Sequence, residues 1–510
     1  MVPRINSASV QGIEGWLVEV EVTLAPGIPN LSIVGLPDTA VKESADRVSA
    51  AIRNANLELP LQRITINLAP ADIKKEGSAF DLPIALGILS ANGLIKEEAF
   101  KDVLILGELS LDGRVKPVRG VMSIATMARD RKISSLLLPL ENVAEASVVE
   151  GINIYPIATL PEALDFLNGD LEIAPYHSID PLKALQGNPY EIDLSDVKGQ
   201  HQVKRALEIT ASGGHNILLI GPPGSGKSML AKRIATILPD LTLEEAIETT
   251  KIHSVLGLLK NGVGLVTSRP FRAPHHTISD AGLIGGGRFP MPGEVSLAHN
   301  GLLFLDELPE FKRNVLEVMR QPLEEEEVSI SRASASVTYP ANFTLVSAMN
   351  PCPCGYKNDP QRECHCSAMQ IRKYVSKISG PLLDRIDIHI EVPALKYKEL
   401  SSEASGEPSA QIRKRVEAAR KIQLQRFQSE RNFFNSGMTN RQLKKYCVLD
   451  EAGRNIMSLS MEKLGLSARA HDRILKVART IADLAGEENI LAEHVAEGIQ
   501  YRSLDRDTWF

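Results

Sequence analysis

One glycine-rich stretch carries the residue types that hold a phosphate chain. It follows the short apolar run 217–220 and opens a segment with apolar residues at helical spacing. In this context glycines let backbone N–H groups approach phosphate oxygens, while a lysine and a hydroxyl serve the terminal phosphates and Mg²⁺. The stretch therefore predicts binding of ATP with Mg²⁺, with Lys227 at the phosphates and Ser228 at the metal ion. The residues of this phosphate-binding loop are Gly221, Pro222, Pro223, Gly224, Ser225, Gly226, Lys227 and Ser228.

Two acids end a second apolar run further along the chain. Asp306 and Glu307 follow residues 301–305, which have the composition of a buried strand. The end of a parallel strand beside a phosphate loop is where a Mg²⁺-holding aspartate belongs, so Asp306 is predicted to hold the metal. Glu307 would then orient or deprotonate the attacking water. Two acids after an apolar run also fit the solvated end of a strand, but the phosphate-binding loop upstream favours the catalytic interpretation.

Two further polar residues lie at strand boundaries. Asn350 ends the apolar run 345–349, where it could hydrogen-bond the γ-phosphate or the water, although asparagine there is more often a turn former. Arg385 precedes another apolar run. Taken alone it would form a surface ion pair; delivered to a neighbouring subunit's γ-phosphate it would make hydrolysis depend on assembly.

Composition is that of an ordinary water-soluble protein. The 510 residues are 43% hydrophobic and 24% charged, and no apolar run approaches the roughly 20 residues of a membrane span. The first residues lack the apolar core of a secretory signal, so a cytoplasmic location is expected. A net charge of −6 does not exclude nucleic-acid binding, because a ring with a basic channel can be acidic outside.

The hydrophobic patterns predict three domains of an α/β protein. Residues 1–168 alternate short strand-like and helical segments, and 169–196 is a linker of glycine, proline and scattered polar residues. Residues 197–395 form a nucleotide-binding domain with a mainly parallel sheet, and 396–510 are mostly helical. The charged helix 409–429 is read as a solvated face, with nucleic-acid contact as the alternative.

Four cysteines fall close together, in two C-x-C pairs within residues 350–366. Four thiolates suffice for a closed tetrahedral zinc site that would stabilise a loop with little core of its own. Structural zinc is therefore predicted, although C-x-C is tighter than the usual C-x₂-C. Free or redox-active thiols, or no role, are the alternatives, and His365 is read as a bystander. The predicted ligands are Cys352, Cys354, Cys364 and Cys366.

The order of these motifs resembles that of an AAA+ ATPase. Residues 269–277, 285–301 and 350–355 resemble the magnesium-chelatase-like branch of that class, and the whole chain resembles the ComM/YifB family. The resemblance implies a Lon-protease-like (S5 domain 2-like) N-terminal domain, an AAA+ P-loop αβα core and a C-terminal helical lid. It also implies a homo-oligomer, expected as a hexameric ring, that drives DNA branch migration by ATP hydrolysis during natural transformation.

The same resemblance implies roles for single residues. Asn350 would be the first sensor of the γ-phosphate and Arg385 the finger that reaches the neighbour's nucleotide. Arg469, in the lid, would be the second sensor, with Arg473 one turn on as the next candidate.

DNA contacts are predicted on two loop regions. Residues 328–338 alternate like a hairpin with Arg332 near its turn, and 253–288 combines glycines with basic residues. Basic loops of this kind could grip a phosphate backbone without reading sequence, although subunit-interface charges are as good an explanation for any one residue. The DNA-contact candidates are Arg332, Lys260 and Arg288.

The N-terminal domain departs from a working Lon protease. Ser78 resembles the nucleophilic serine, but Met122 stands where that family has the catalytic lysine, so proteolysis is not expected. A scaffold or DNA-contacting collar is predicted instead. The candidate phosphate contacts are Lys74, Lys75, Arg114, Lys116 and Arg119.

Two other functions stay open. A magnesium-chelatase-type motor for metal insertion would share the ATPase core, but the chain has no Asp-x-Ser-x-Ser metal-adhesion pattern. An ATP-dependent protease would need a base in place of Met122.

Overall fold

The computed structural model divides into two compact units. It describes residues 2–72, 74–176, 185, 190–260, 262–287, 290–332, 335–357, 359, 362–394, 406–428 and 434–502. One unit comprises Met1–Gly187 and Thr242–Thr267, the other Asn188–Leu241 and Ser268–Phe510. None of the described helices combines the length and apolar character needed to cross a lipid bilayer.

The first unit is built on a mixed sheet. Its strands are β1 (Arg4–Gln11), β2 (Glu14–Ala25), β3 (Asn30–Val34), β4 (Arg63–Ala69), β5 (Val103–Ile105), β6 (Glu108–Leu109), β7 (Val115–Lys116), β8 (Ser135–Pro139) and β9 (Asn153–Ile157). Seven of the described strands pair in the order β3-β4-β2-β1-β5-β8-β9. β1, β2 and β4 pair antiparallel, and β5, β8 and β9 add in parallel, which gives the mixed α/β character predicted for this region.

Five of the described helices pack on this sheet: Thr39–Asn54, Asp81–Ala91, Val121–Asp130, Val143–Ala146 and Leu160–Asn168. The first, second and fifth of these share an apolar core with the sheet. A further helix, Leu243–Val255, comes from the sequence predicted to lie inside the nucleotide-binding domain, yet it packs against Val121–Asp130. Ser254 on that helix hydrogen-bonds the buried carboxyl group of Glu145, which also accepts from the Met122 N–H at 2.6 Å. Segment 242–267 therefore folds with the first unit.

The second unit is built on a parallel sheet. Its strands are β10 (Ile217–Ile220), β11 (Phe271–Arg272), β12 (Gly285–Gly286), β13 (Met291–Pro292), β14 (Leu302–Leu305), β15 (Glu327–Arg332), β16 (Ala335–Pro340), β17 (Thr344–Met349) and β18 (Ile388–Glu391). Five of the described strands pair, all in parallel, in the order β11-β14-β17-β10-β18. All four residues of β10 are buried, as expected for a strand covered on both faces. The predicted α/β class is thereby confirmed.

Helices cover the parallel sheet and continue to the C-terminal end of the described chain. They are His201–Gly213, Lys227–Ile234, Asp280–Ile284, Glu294–Leu297, Arg313–Glu317, Arg320–Glu325, Ala368–Val375, Gly380–Leu383, Ser409–Arg426, Asn440–Tyr446, Glu451–Leu464, Ala468–Ala485 and Ala492–Gln500. Helix Ala468–Ala485 has the bounds that its apolar spacing predicts, and it buries Ala470, Ile474 and Ala478 on one face. That face helps to form a separate apolar core among the C-terminal helices.

Candidate nucleotide-binding and hydrolysis site

A cleft of about 350 Å³ opens where β10 meets helix Lys227–Ile234. The loop between them turns at Gly224 and Gly226, which adopt left-handed backbone conformations with φ of 78° and 88°. Close packing requires glycine at position 221 as well, because a Cβ atom there would lie 2.2 Å from the Val392 carbonyl oxygen. The predicted phosphate-binding loop thus has the strand–loop–helix geometry that the chemistry requires.

The Lys227 side chain spans the inside of the loop. Its ammonium group donates to the carbonyl oxygens of Gly221 and Pro222 at 2.8 and 2.9 Å, and to Asn350 Oδ1 at 3.2 Å. Burial lowers the pKa of Lys227, while the carboxylates of Asp306 and Glu307 act in the opposite direction. The structure therefore joins the predicted lysine and the predicted first sensor in one hydrogen-bonded cluster.

Ser228 and Asp306 converge as a metal site requires. The Ser228 hydroxyl donates to Asp306 Oδ2 at 2.6 Å, although 78 residues separate the two in the chain. A hydroxyl and a carboxylate beside a phosphate-binding loop are oxygen donors of the kind that Mg²⁺ prefers. The residues present therefore fit Mg²⁺, with Ser228 and Asp306 as its protein ligands.

Glu307 is held in an uncommon backbone conformation. Its φ of 51° is left-handed, which is unusual for a residue with a side chain, and its N–H donates to Asp306 Oδ1 at 2.9 Å. Its carboxylate lies 3.3 Å from Nδ1 of His276, a residue that follows β11. His276 lies within the family motif at 269–277, and its contact with Glu307 was not predicted.

Gln200 is a second residue that the sequence analysis missed. Its side-chain amide donates to the Ser225 carbonyl oxygen at 3.0 Å and to that of Pro393 at 3.3 Å. It therefore ties the phosphate-binding loop to the chain that leaves β18. The sequence signal was a polar residue after a glycine at the start of the predicted nucleotide-binding domain.

Arg385 and Arg469 lie at the other end of the sheet from the cleft. Asn216, directly before β10, donates its side-chain amide to the Arg385 carbonyl oxygen at 3.0 Å, whereas the phosphate-binding loop follows the last residue of β10. Arg469 donates to Asp384 at 3.0 Å, beside Arg385, and its side chain is 68% exposed. The structure brings the two predicted arginines together, but not with the phosphate-binding loop of their own chain.

The Arg385 side chain is nearly buried and has partners of its own. Its guanidinium group donates to the Pro381 carbonyl oxygen and pairs with the carboxylate of Glu324. Burial and three neighbouring arginines lower its pKa. Glu324 lies three residues before β15, so this pairing connects the predicted finger to the base of a hairpin.

Arg473 is part of a buried network. It donates to Asp387 Oδ1 at 2.8 Å, and the other carboxylate oxygen of Asp387 lies 3.2 Å from His215 Nδ1. Arg473 and its neighbours lower the pKa of Asp387 despite its burial. The contact between Arg473 and Asp387 therefore joins helix Ala468–Ala485 to the residue directly before β18.

The predicted hairpin is present, and its basic residue is exposed. β15 and β16 pair antiparallel, with Arg332 opposite Ala335, while Val328 and Ile330 anchor the inner face. Residue Arg288, the third DNA-contact candidate, lies outside the described residues. Lys260 belongs to the first unit and Arg332 to the second.

The four cysteines form one cluster, as a metal site requires. Their sulfur atoms all lie within 4.8 Å of one another, with Cys352 Sγ 3.3 Å from Cys354 Sγ and 3.6 Å from Cys364 Sγ. Tetrahedral Zn²⁺ with Zn–S bonds of about 2.3 Å places sulfur atoms about 3.8 Å apart. The main chain at Tyr356 lowers the pKa of Cys354 to about 6, which favours the thiolate, whereas burial raises the pKa of Cys352 to about 12. The cluster therefore fits a structural metal such as zinc.

Ser78 and Met122, the two residues compared with a Lon protease, both lie in the first unit. The Ser78 hydroxyl is hydrogen-bonded to Glu108, and Met122 is buried. Lys75, predicted as a phosphate contact, is fully buried, and its ammonium group donates to the Pro70 carbonyl oxygen. That prediction for Lys75 is wrong, because sequence alone did not show that the lysine points into the unit.

The order of the parallel sheet and its strand-end residues define the class of protein. The phosphate-binding loop follows β10, the acidic pair follows β14 and Asn350 follows β17, which is the arrangement of a P-loop nucleoside triphosphatase of the AAA+ class. Residues 193–400 match the family described as magnesium chelatase, subunit ChlI. Residues 20–142 and 406–502 match the families described as subunit ChlI of Mg-chelatase and magnesium chelatase, subunit ChlI C-terminal.

Curated relatives extend the match to the full chain. Competence protein ComM of Haemophilus influenzae is 44% identical over 506 residues, which cover 98% of this chain and 97% of that protein. YifB of Escherichia coli is 42% identical over 507 residues with the same coverage. Lon protease 1 of Hydrogenovibrio crunogenus is 30% identical over 162 residues, or 29% of this chain and 20% of that protease. The chain belongs to the ComM/YifB family of magnesium-chelatase-like AAA+ ATPases, which confirms the resemblance of its motifs.

Proposed function

We propose that this protein is an ATP-driven ring motor that migrates DNA branch points in the cytoplasm during natural transformation. One observation carries the proposal: a cleft that gathers the phosphate-binding loop, Asp306, Glu307 and Asn350 shares a compact unit with a hairpin that exposes Arg332. The full-length similarity to a protein named for competence supports DNA as the substrate.

Hydrolysis would use residues that already face the cleft. Mg²⁺, held by Ser228 and Asp306, would neutralise part of the phosphate charge. Lys227 would exchange its carbonyl partners for phosphate oxygens, and Asn350 would orient the water or the γ-phosphate. Glu307 would accept a proton from the attacking water, once it leaves His276.

Assembly would complete the site. In their own chain Arg385 and Arg469 lie at the sheet end away from the phosphate-binding loop, so we propose that they serve the nucleotide of the next subunit. A head-to-tail interface forms a ring when the rotation between subunits closes, and we propose a ring of six. Arg385 would exchange Glu324 for the γ-phosphate and stabilise charge that develops during hydrolysis.

The test compares ATP turnover with branch movement. We expect ATPase activity that rises with a four-way DNA junction, and ATP-dependent movement of the junction, both abolished by Lys227→Ala. Lys232→Ala changes an exposed lysine on the same helix and should leave both unchanged. A folded, multimeric protein that hydrolyses no more ATP with any DNA form would contradict the proposal. ATP-dependent metal insertion with a partner subunit would support the magnesium-chelatase alternative, and casein cleavage lost on Ser78→Ala would support the protease.

A further inference from the structure

The four-cysteine cluster begins beside the nucleotide cleft. Cys352 is fully buried and lies two residues after Asn350, whose side chain accepts from the Lys227 ammonium group. Only Pro351 separates Cys352 from Asn350, the residue predicted to sense the γ-phosphate, so a shift of Cys352 should also move Asn350.

The same loop also contacts the phosphate-binding loop. A Cβ atom on Gly355 would lie 2.6 Å from Cδ of Pro223, so only glycine allows this approach. Gly355 has a φ of 86°, which glycine also favours, and its N–H donates to the Cys352 carbonyl oxygen at 3.0 Å. The turn from Cys352 to Gly355, which contains the first two cysteines, thus packs against the loop that receives the phosphates.

The far end of the cysteine segment returns to Asn350. Ser367 directly follows Cys366 and caps helix Ala368–Val375 by accepting from the Gln370 N–H. Tyr374 on that helix is buried, which raises its pKa, and the nearby main chain of Asn350 acts in the opposite direction. Both ends of the segment therefore meet at the same residue of the cleft.

The described part of this segment is held by turns and local contacts, such as the hydrogen bond from Arg362 to the Tyr356 hydroxyl at 2.6 Å, rather than by regular structure. Its described residues between 350 and 366 form no helix or strand. A segment without regular structure that must keep one conformation needs a cross-link, and a metal bound by four thiolates supplies one.

We propose that Zn²⁺ bound by these four cysteines positions Asn350 and Pro223 for ATP hydrolysis, so that metal occupancy controls turnover more than nucleotide affinity. One Zn²⁺ replaces the protons of the thiols, which leave to solvent as the thiolates coordinate. The inference rests on the proposed ATP hydrolysis at this cleft.

The first measurement is metal content in the full-length protein. We expect one zinc per chain in the wild type and none in Cys364→Ser. His365→Ala, which changes an exposed residue between two ligands, should keep its zinc. Trypsin should cut after the exposed Arg362 faster in Cys364→Ser. A wild type that binds no zinc when grown and purified with it would overturn the inference.

The second measurement separates positioning from folding. We expect Cys364→Ser to bind a fluorescent ATP analogue within about threefold of wild type while turnover falls roughly tenfold or more. Asn350→Ala should lose turnover but keep zinc, and the double variant should be no worse than the poorer single variant. Wild-type turnover in zinc-free protein would overturn the inference. If Cys364→Ser does not fold, wild type prepared without zinc replaces it, and failure of added Zn²⁺ to restore turnover counts against the inference.

A third measurement does not depend on hydrolysis. A non-hydrolysable ATP analogue should slow zinc release to a chelator in the wild type by up to about threefold, the same limit as the change in nucleotide affinity, but not in Asn350→Ala. A protein that shows this coupling but never hydrolyses ATP would refute the proposed function alone. Equal release rates with and without the analogue would refute the coupling alone.

Discussion

Two variants that are inactive alone should recover activity when mixed. Arg385→Ala removes the predicted finger and Lys227→Ala removes the phosphate lysine. The Arg385 main chain meets Asn216 at the start of β10, and the phosphate-binding loop begins after its end. Four strand residues span about 13 Å, and the Arg385 guanidinium group turns to Pro381 and Glu324 instead. The finger and the loop of one chain therefore cannot meet in one site.

The expected magnitude follows from this separation. Arg385→Ala alone should lower ATP turnover by roughly 10³-fold, the low end for arginines acting from a neighbour. In an equal mixture, an interface is intact when an Arg385→Ala chain supplies the loop and a Lys227→Ala chain supplies the arginine. Random assembly makes about one quarter of the interfaces intact, so turnover should rise to at most about a quarter of wild type.

The assay is steady-state phosphate release after the variants are dissociated, mixed and reassembled. The control mixture combines Lys227→Ala with Glu307→Gln. Both residues line the same cleft of one chain, so no interface is restored and no recovery is expected. Recovery in the control as well as in the test mixture, or no recovery in either despite proven subunit exchange, would refute the reasoning. So would wild-type turnover by Arg385→Ala alone.

Two further predictions concern DNA binding and acid stability. Arg332→Ala should weaken binding to all DNA sequences alike, and it should reduce the slope of log affinity against log salt concentration by about one. Fluorescence anisotropy measures both. An unchanged slope would show that Arg332 does not contact DNA. Burial lowers the pKa of His215 and His389. Below about pH 6.5 the unfolded chain therefore binds more protons than the folded chain. The free energy of unfolding of the second unit should then fall by up to about 1.4 kcal/mol per histidine for each pH unit. The denaturation midpoint should decrease less between about pH 7.5 and pH 5.5 in His389→Gln than in the wild type. An equal decrease in the two proteins would contradict this prediction.

The nucleotide cleft could be predicted from sequence because its parts are local. A strand, a glycine loop and a helix follow one another around Lys227, and Asp306 and Asn350 each end an apolar run. Parallel strands bring such ends to one edge of a sheet, so their convergence follows from the pattern. The hydrogen bonds from Ser228 to Asp306 and from Lys227 to Asn350 agree with that reasoning.

Contacts that depend on strand order were not predictable from one sequence. Arg385 also adjoins an apolar run, but Arg385 comes before β18, whereas the cleft residues come after their strands. Arg385 therefore lies at the end of the sheet opposite the nucleotide cleft. The contact between His276 and Glu307 joins the ends of neighbouring strands whose adjacency no local pattern reveals. Burial of Lys75 likewise depends on the turn around it.

The course of the chain between the two units limits how the protein can be dissected. Because 242–267 folds with the N-terminal residues, the polypeptide crosses between units three times, near 187, 241 and 267. A fragment that starts at residue 188 would carry helix Leu243–Val255 without the surface that shields Ala246 and Ile252. Such a fragment should aggregate unless a short linker replaces 242–267, so a motor isolated by simple N-terminal deletion would report on a damaged protein.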